Sequence, residues 1–261
     1  DSDVENMKIV DAAGLVYGNT VSALNANDTA VFTFPQPLEV AANSVKTVYL
    51  RVGVPSTGST TGNSIQFSLK SGADVVTASN ATISGSFPFT GSAFNIIGAT
   101  VGTAVVAQDG TTSDATPDSG DTDVILNKFK VTAGATEDIL IESLTFKEAG
   151  TASVSDYNNV ELWDASKNVS LGQASFNAEG KVHFSGLNII VQEGKTQRFV
   201  VRTDVVSGAG LTMNVDLVEG SSDVLMAVRG QKLGFYLTPT VSGGWNGKGS
   251  NDQTINSGSL I

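Results

Sequence analysis

A stretch near the start of the chain recurs 153 positions later. Ser2–Ala12 (SDVENMKIVDA) aligns with Ser155–Ala165 (SDYNNVELWDA). Three further blocks follow in the same order. Val48–Val52 (VYLRV) matches Phe199–Thr203 (FVVRT), Ile65–Leu69 (IQFSL) matches Met213–Leu217 (MNVDL), and Asp74–Val75 matches Asp223–Val224. An ordered set of matched blocks is the mark of a duplicated unit, so the 261 residues divide into tandem modules.

The matched blocks carry a period of two. Val48, Leu50, Val52 and Val54 alternate with Thr47, Tyr49, Arg51 and Gly53. Ile65, Phe67 and Leu69 alternate with Gln66, Ser68 and Lys70, and Met213, Val215 and Leu217 with Thr212, Asn214 and Asp216. Such alternation places one apolar row on a buried face and one polar row in water. Turn-rich gaps separate the runs, as in Pro55–Asn63 and Ser207–Gly210. Many short strands punctuated by turns predict an all-β sandwich architecture.

Composition agrees with strands. Charged residues make up 16% of the chain and hydrophobic residues 40%, with 28 glycines. That mixture suits strands and turns better than surface helices. The net charge of −11 repels phosphate backbones and argues against a nucleic-acid partner. Cysteine is absent, which removes disulfides, thiolate metal sites and cysteine nucleophiles. No run of 18 apolar residues suggests a membrane-spanning helix. The opening Asp1-Ser2-Asp3-Val4, without Met, reads as a processed mature end.

The second module opens with a preamble. Thr100–Ala107, Asp123–Thr132 and Glu137–Lys147 each read as a strand, with Leu140, Leu144 and Phe146 expected on one face. Residues before the shared blocks of the first module contain no counterpart, so about three strands are missing there. At the other end, Gln253–Ile261 stands where Ala99-Thr100-Val101 stands after the first module, and reads as the opening strand of a third. The expected division is therefore an incomplete module over 1–98, a complete one over 99–252 and a separate strand over 253–261. An incomplete sandwich leaves strand edges and an apolar face uncovered, and both favour association.

Several runs resemble the repeats of large prokaryotic surface proteins of the kind found in candidate-phyla bacteria. They are Val124–Ala133 (VILNKFKVTA), Glu137–Ile139, Ser143–Phe146, Gly150–Asp156, Asn159–Asp164 (NVELWD) and Phe184–Leu187. The resemblance covers about residues 100–227 well and the first module in part. It implies immunoglobulin-like β-sandwich modules and an extracellular or cell-surface location. It implies no catalytic residues.

Direct searching for chemistry adds little. The single histidine, His183, falls within a strand, and no nucleophile-elbow or phosphate-loop pattern accompanies it. The chain is accordingly read as non-enzymatic, with no organic cofactor. The acidic run Asp109, Asp114, Asp118, Asp121 and Asp123 offers hard oxygen ligands suited to calcium, although its spacing departs from the EF-hand pattern. Asp3, Asp11, Asp156 and Asp164 recur in both modules and read as turn caps. The sequons place candidate glycosylation at Asn27, Asn80 and Asn168. Trp163 is expected between the sheets. Trp245, in a glycine-rich loop, is a candidate for stacking on a sugar.

The expected function follows from the phase offset. Gln253, Thr254, Ile255, Asn256, Ser257, Gly258, Ser259, Leu260 and Ile261 would add as a strand to the incomplete first module of the next copy, giving a head-to-tail polymer, as in a filament or surface layer. Nine residues at about 3.4 Å each reach about 30 Å, enough to cross a sandwich. The alternative is an adhesive or glycan-binding surface module built around Trp245.

Overall fold

The computed structural model describes residues 2–55, 57–78, 81–110, 116–219, 223–242 and 253–255. They form an all-β structure. Helix is confined to two single 3-10 turns, Gly72–Asp74 and Val154–Asp156. The chain divides into two compact units, one of residues 1–12 and 16–99, the other of residues 13–15 and 100–261.

Unit 1 holds β1 (Glu5–Val10), β2 (Val16–Val21), β3 (Tyr49–Gly53), β4 (Ser64–Ile65), β5 (Ser68–Leu69), β6 (Phe89–Thr90) and β7 (Phe94–Asn95). Its main sheet is antiparallel with order β2-β1-β3. A two-stranded ribbon pairs β4 with β7 and β5 with β6. Its described buried hydrophobic residues are few: Val4, Met7, Val10, Val16 and Ile96.

Unit 2 holds β8 (Ala104–Gln108), β9 (Val124–Ala133), β10 (Ile139–Glu148), β11 (Tyr157–Asp164), β12 (Val169–Ala174), β13 (Lys181–Val191) and β14 (Thr196–Val205). Shorter strands follow: β15 (Thr212–Met213), β16 (Val215–Asp216), β17 (Val218–Glu219), β18 (Asp223–Val224), β19 (Met226–Gly230), β20 (Tyr236–Leu237), β21 (Thr240–Val241) and β22 (Gln253–Thr254). One sheet has the order β12-β11-β14-β9-β8-β21 and a second β13-β10-β19-β20, with β16 also on β10. Side chains of both sheets meet in a single core. Phe129 of β9 stacks on Phe199 of β14 at 5.0 Å and meets Phe146 of β10 at 5.6 Å. Phe146 in turn meets Phe184 of β13 edge-on at 6.2 Å.

The repeat is visible in the backbone. Asn6 and Asn159 occupy matched positions and both adopt left-handed backbone, with φ of 48° and 47°. Asparagine tolerates that region better than most residues. Each produces a bulge, a register shift between Glu5 and Lys8 in β1 and between Asn158 and Glu161 in β11. Beyond the bulge the pairings match. Lys8, Ile9 and Val10 oppose Arg51, Leu50 and Tyr49. Glu161, Leu162 and Trp163 oppose Arg202, Val201 and Val200.

Two details depart from the simple alternation read in the sequence. A register shift between Ile141 and Ser143 resets β10, so Ile139 and Ile141 point inward before it and Leu144 and Phe146 after it. Leu140 is only partly buried and does not share their face. Likewise Val160, Leu162 and Asp164 are buried after the β11 bulge, which turns Trp163 to the outer face of its sheet. The expected packing of Trp163 between the sheets is therefore corrected. Its ring is covered by the Arg202 guanidinium at 4.3 Å, and its indole N–H donates to Glu161.

Candidate functional site

The feature that sets unit 1 apart is the outer edge of β3 and the apolar residues beside it. In unit 2 the equivalent edge of β14 is paired along its length with β9, from Thr196↔Thr132 to Thr203↔Val124. In unit 1, among the described residues, β3 pairs with β1 alone. The consequence is read in side-chain exposure. Val48 and Leu50 are 37% and 36% exposed, whereas their equivalents Phe199 and Val201 are fully buried. In the blocks outside β3, Leu69 and Val75 are 41% and 39% exposed, against 0% and 2% for Leu217 and Val224.

The burial in unit 2 has identifiable sources. Phe129 of β9 covers Phe199. Strand β10 pairs with β16, whose chain continues into Leu217. Strand β9 and the sheet of β10, β13 and β19 thus close the core over positions that unit 1 leaves open. Positions packed by β1 itself are buried in both units, as Val4 and Tyr157, and Met7 and Val160, demonstrate. Completing the burial of each open Val or Leu is worth on the order of 1–2 kcal/mol, since these side chains start half covered.

The structure also places part of the segment expected to lie apart. Thr212 and Met213 of β15 pair with Thr254 and Gln253 of β22. The Ile255 N–H donates to the Leu211 carbonyl at 2.9 Å, and the Gly210 N–H donates to the Ile255 carbonyl at 2.7 Å. Ile255 is buried in the unit 2 core. Gly208, with φ of 101°, makes this approach available, because a Cβ there would meet Ile255 at 3.0 Å and Asp156 at 3.1 Å.

Unit 1 contains the same arrangement. Ser64 and Ile65 pair with Asn95 and Phe94, the Ile96 N–H donates to Asn63 at 2.8 Å, and Gly62 donates to Ile96 at 2.9 Å. Gln253–Ile255 is therefore the equivalent of Phe94–Ile96, the closing strand of its own unit, and not the start of a segment equivalent to Ala99–Val101. Residues 256–261, including Asn256, Ser257, Gly258, Ser259, Leu260 and Ile261, lie outside the described residues. The sequence signal for this equivalence was a single shared isoleucine, Ile96 and Ile255, which bonds back to Gly62-Asn63 in one unit and Gly210-Leu211 in the other.

The acidic run is dispersed. Asp109 pairs with Arg198. The Asp118 N–H donates to the Asp121 carboxylate at 2.9 Å, closing a local turn. Asp123 donates its N–H to Asp204 at 3.2 Å and lies 4.0 Å from Arg202. Asp114 lies outside the described residues, and among those described no three acidic or imidazole groups converge on a cation position. Asn27 and Asn168 are exposed, whereas Asn80 and Trp245 lie outside the described residues. His183 Nδ1 bonds the Thr145 hydroxyl at 2.8 Å.

The recurrent aspartates cap backbone. Asp3 accepts the Thr60 N–H and the Asn63 amide, both at 2.7 Å, and these bonds, the amide first, hold its pKa below the ordinary carboxylate range. Asp156 accepts the Ser153 N–H at 2.8 Å, and Asp164 accepts the N–H groups of Ser166 and Lys167. One buried carboxylate was not singled out by the sequence. Glu137, on the β9–β10 connection, is buried and accepts the N–H groups of Gly102 and Lys232 at 2.8 Å and of Leu233 at 3.2 Å. Burial alone would raise its pKa, but these bonds hold it below the ordinary value. An open, polar depression of about 710 Å³ beside it is bordered by Thr136, Asp138, Gln192, Glu193, Lys195 and Lys232.

No family model matches the chain, and no curated protein shows significant similarity to it.

Proposed function

We propose that this chain is a non-enzymatic structural subunit of an extracellular filament or surface layer, built from immunoglobulin-like sandwich modules and joined head-to-tail by strands that complete unit 1. The observation that carries this reading is the matched set of apolar positions. Val48, Leu50, Leu69 and Val75 are partly open in unit 1, and their equivalents are closed in unit 2, where β9 pairs with β14 and the β10 sheet completes the core. An uncovered strand edge beside uncovered apolar residues favours pairing with another polypeptide. A contact between unlike ends of identical subunits propagates unless its rotation closes a ring.

Sedimentation velocity and negative-stain microscopy of the purified full chain test this reading. It expects mass that grows with concentration and threads or sheets on the grid. The informative truncation removes residues 256–261 only, because Gln253 and Thr254 pair with β15 and Ile255 is buried in the core of unit 2. A full chain that sediments as a monomer at every concentration ends the proposal. Polymer that survives the truncation excludes the C-terminal tail as the joining element.

A further inference from the structure

We infer that unit 1 is an acceptor for a two-layer polypeptide segment with the strand pattern of residues 104–148, and not for a single extended strand. The inference rests on the assembly reading above and specifies what the acceptor takes. Two sets of open positions require two layers. Val48, Tyr49 and Leu50 lie on or beside β3, where the β9 equivalent would pair. Leu69 and Val75 lie outside that sheet, in blocks whose unit 2 equivalents adjoin the β10 layer. One strand along β3 would leave Leu69 and Val75 open. In unit 2 both layers are supplied by consecutive strands, with β9 ending at Ala133 and β10 starting at Ile139.

The repeat also gives the register. In unit 2 Phe199, Val200 and Val201 oppose Phe129, Lys128 and Asn127, antiparallel. Transferred to unit 1, Val48, Tyr49 and Leu50 oppose an aromatic residue, a lysine and an asparagine in that order. The β1–β3 pairing already has the register of β11–β14, so the acceptor edge needs no rearrangement to offer this frame. The occupant is thus a partner of stated chemistry: an antiparallel strand of the VILNKFKVTA type, a short connection, and a second strand of the ILIESLTFKE type.

The experiment adds a separate polypeptide of residues 100–149 to the full chain and follows binding by sedimentation and amide hydrogen exchange. Saturable one-to-one binding is expected, with exchange at the Tyr49–Gly53 amides slowed at least tenfold. A peptide of residues 124–133 alone should bind at least tenfold more weakly. L50D and V75D, one in each layer, should each weaken binding of the long segment at least tenfold. Either can be checked for folding by the unchanged exchange of β1 and β2, the other strands of the unit 1 sheet. Equal binding of the short peptide, or loss with L50D but not V75D, overturns the two-layer claim. No binding at a concentration where the chain sediments as a monomer overturns this inference and leaves any polymer formed at higher concentration standing. Binding by a chain that is otherwise monomeric supports the acceptor and ends the homopolymer reading.

Discussion

Unit 1 and unit 2 share a strand trio, β2-β1-β3 and β12-β11-β14, yet differ in what lies behind it. The bulge asparagine, the cross-strand partners and the closing isoleucine coincide. In unit 2 the trio is half of a closed core, whereas in unit 1 the same apolar row is only partly covered. Local pairing in this fold is therefore encoded within the trio itself. Burial is encoded elsewhere, in β9 and in the β10, β13 and β19 strands of the facing sheet. An alternating strand pattern specifies which face turns inward, and leaves open what closes over it.

Five substitutions can break or sharpen that contrast. The largest effect is expected from F129A, which removes the ring stacked on Phe199 and touching Phe146. Unit 2 should lose about 3–5 kcal/mol in denaturant unfolding. The exchange rates of β1–β3 amides should stay the same, and if they rise together with those of β14 the two units are not separate cooperative bodies.

Next comes E137Q. A buried carboxylate accepting several backbone N–H groups cannot be replaced by an amide without leaving a donor clash, at a cost of about 1–3 kcal/mol. The pH dependence carries a sign. The Glu137 pKa in the folded chain lies below its ordinary value of 4.5. Its stabilisation is full above 4.5 and is lost as pH falls through the folded value. Acid titration of the melting temperature should therefore be shallower in E137Q. An identical acid limb would show that the carboxylate is not linked to unfolding.

The matched bulges give a pair of smaller effects. N159V and N6V each force a β-branched residue into left-handed backbone, at about 1–2 kcal/mol. Equal penalties by hydrogen exchange of the surrounding strands would confirm that the trio is energetically the same in both units. The smallest effect is expected at the open face. L50S should destabilise unit 1 by about 1 kcal/mol, because Leu50 is already partly covered. A cost of 2 kcal/mol or more would mean that Leu50 already belongs to a formed core.

The all-β character was legible because period-two runs between turn residues have few other solutions. Two strands of the trio were legible because β1 and β3 fall in blocks that recur at β11 and β14, whereas β2 and β12 lie in no matched block. Trp163 and Leu140 were misplaced for one reason: a bulge inserts a residue and inverts the alternation beyond it. The Asn159 bulge lies beside an ordinary Asn158-Asn159 pair that carries no other mark. The closing strand was misassigned because Gln253–Ile255 and Phe94–Ile96 share little beyond an isoleucine, while backbone pairing is indifferent to side-chain identity. Glu137 was missed because its partners are backbone N–H groups more than 30 and 90 residues away.

The pairing of β21 with β8 is parallel, Thr240 with Val105 and Val241 with Val106, and the Ser242 N–H extends it to the Val106 carbonyl. A pull that drags β8 toward its own beginning and β21 toward its own end slides these strands past each other along their length. Their bonds must then give way together, and not one after another as in a zip. In single-molecule stretching, V106P should lower the rupture force of unit 2, and an unchanged force would place the mechanical clamp elsewhere.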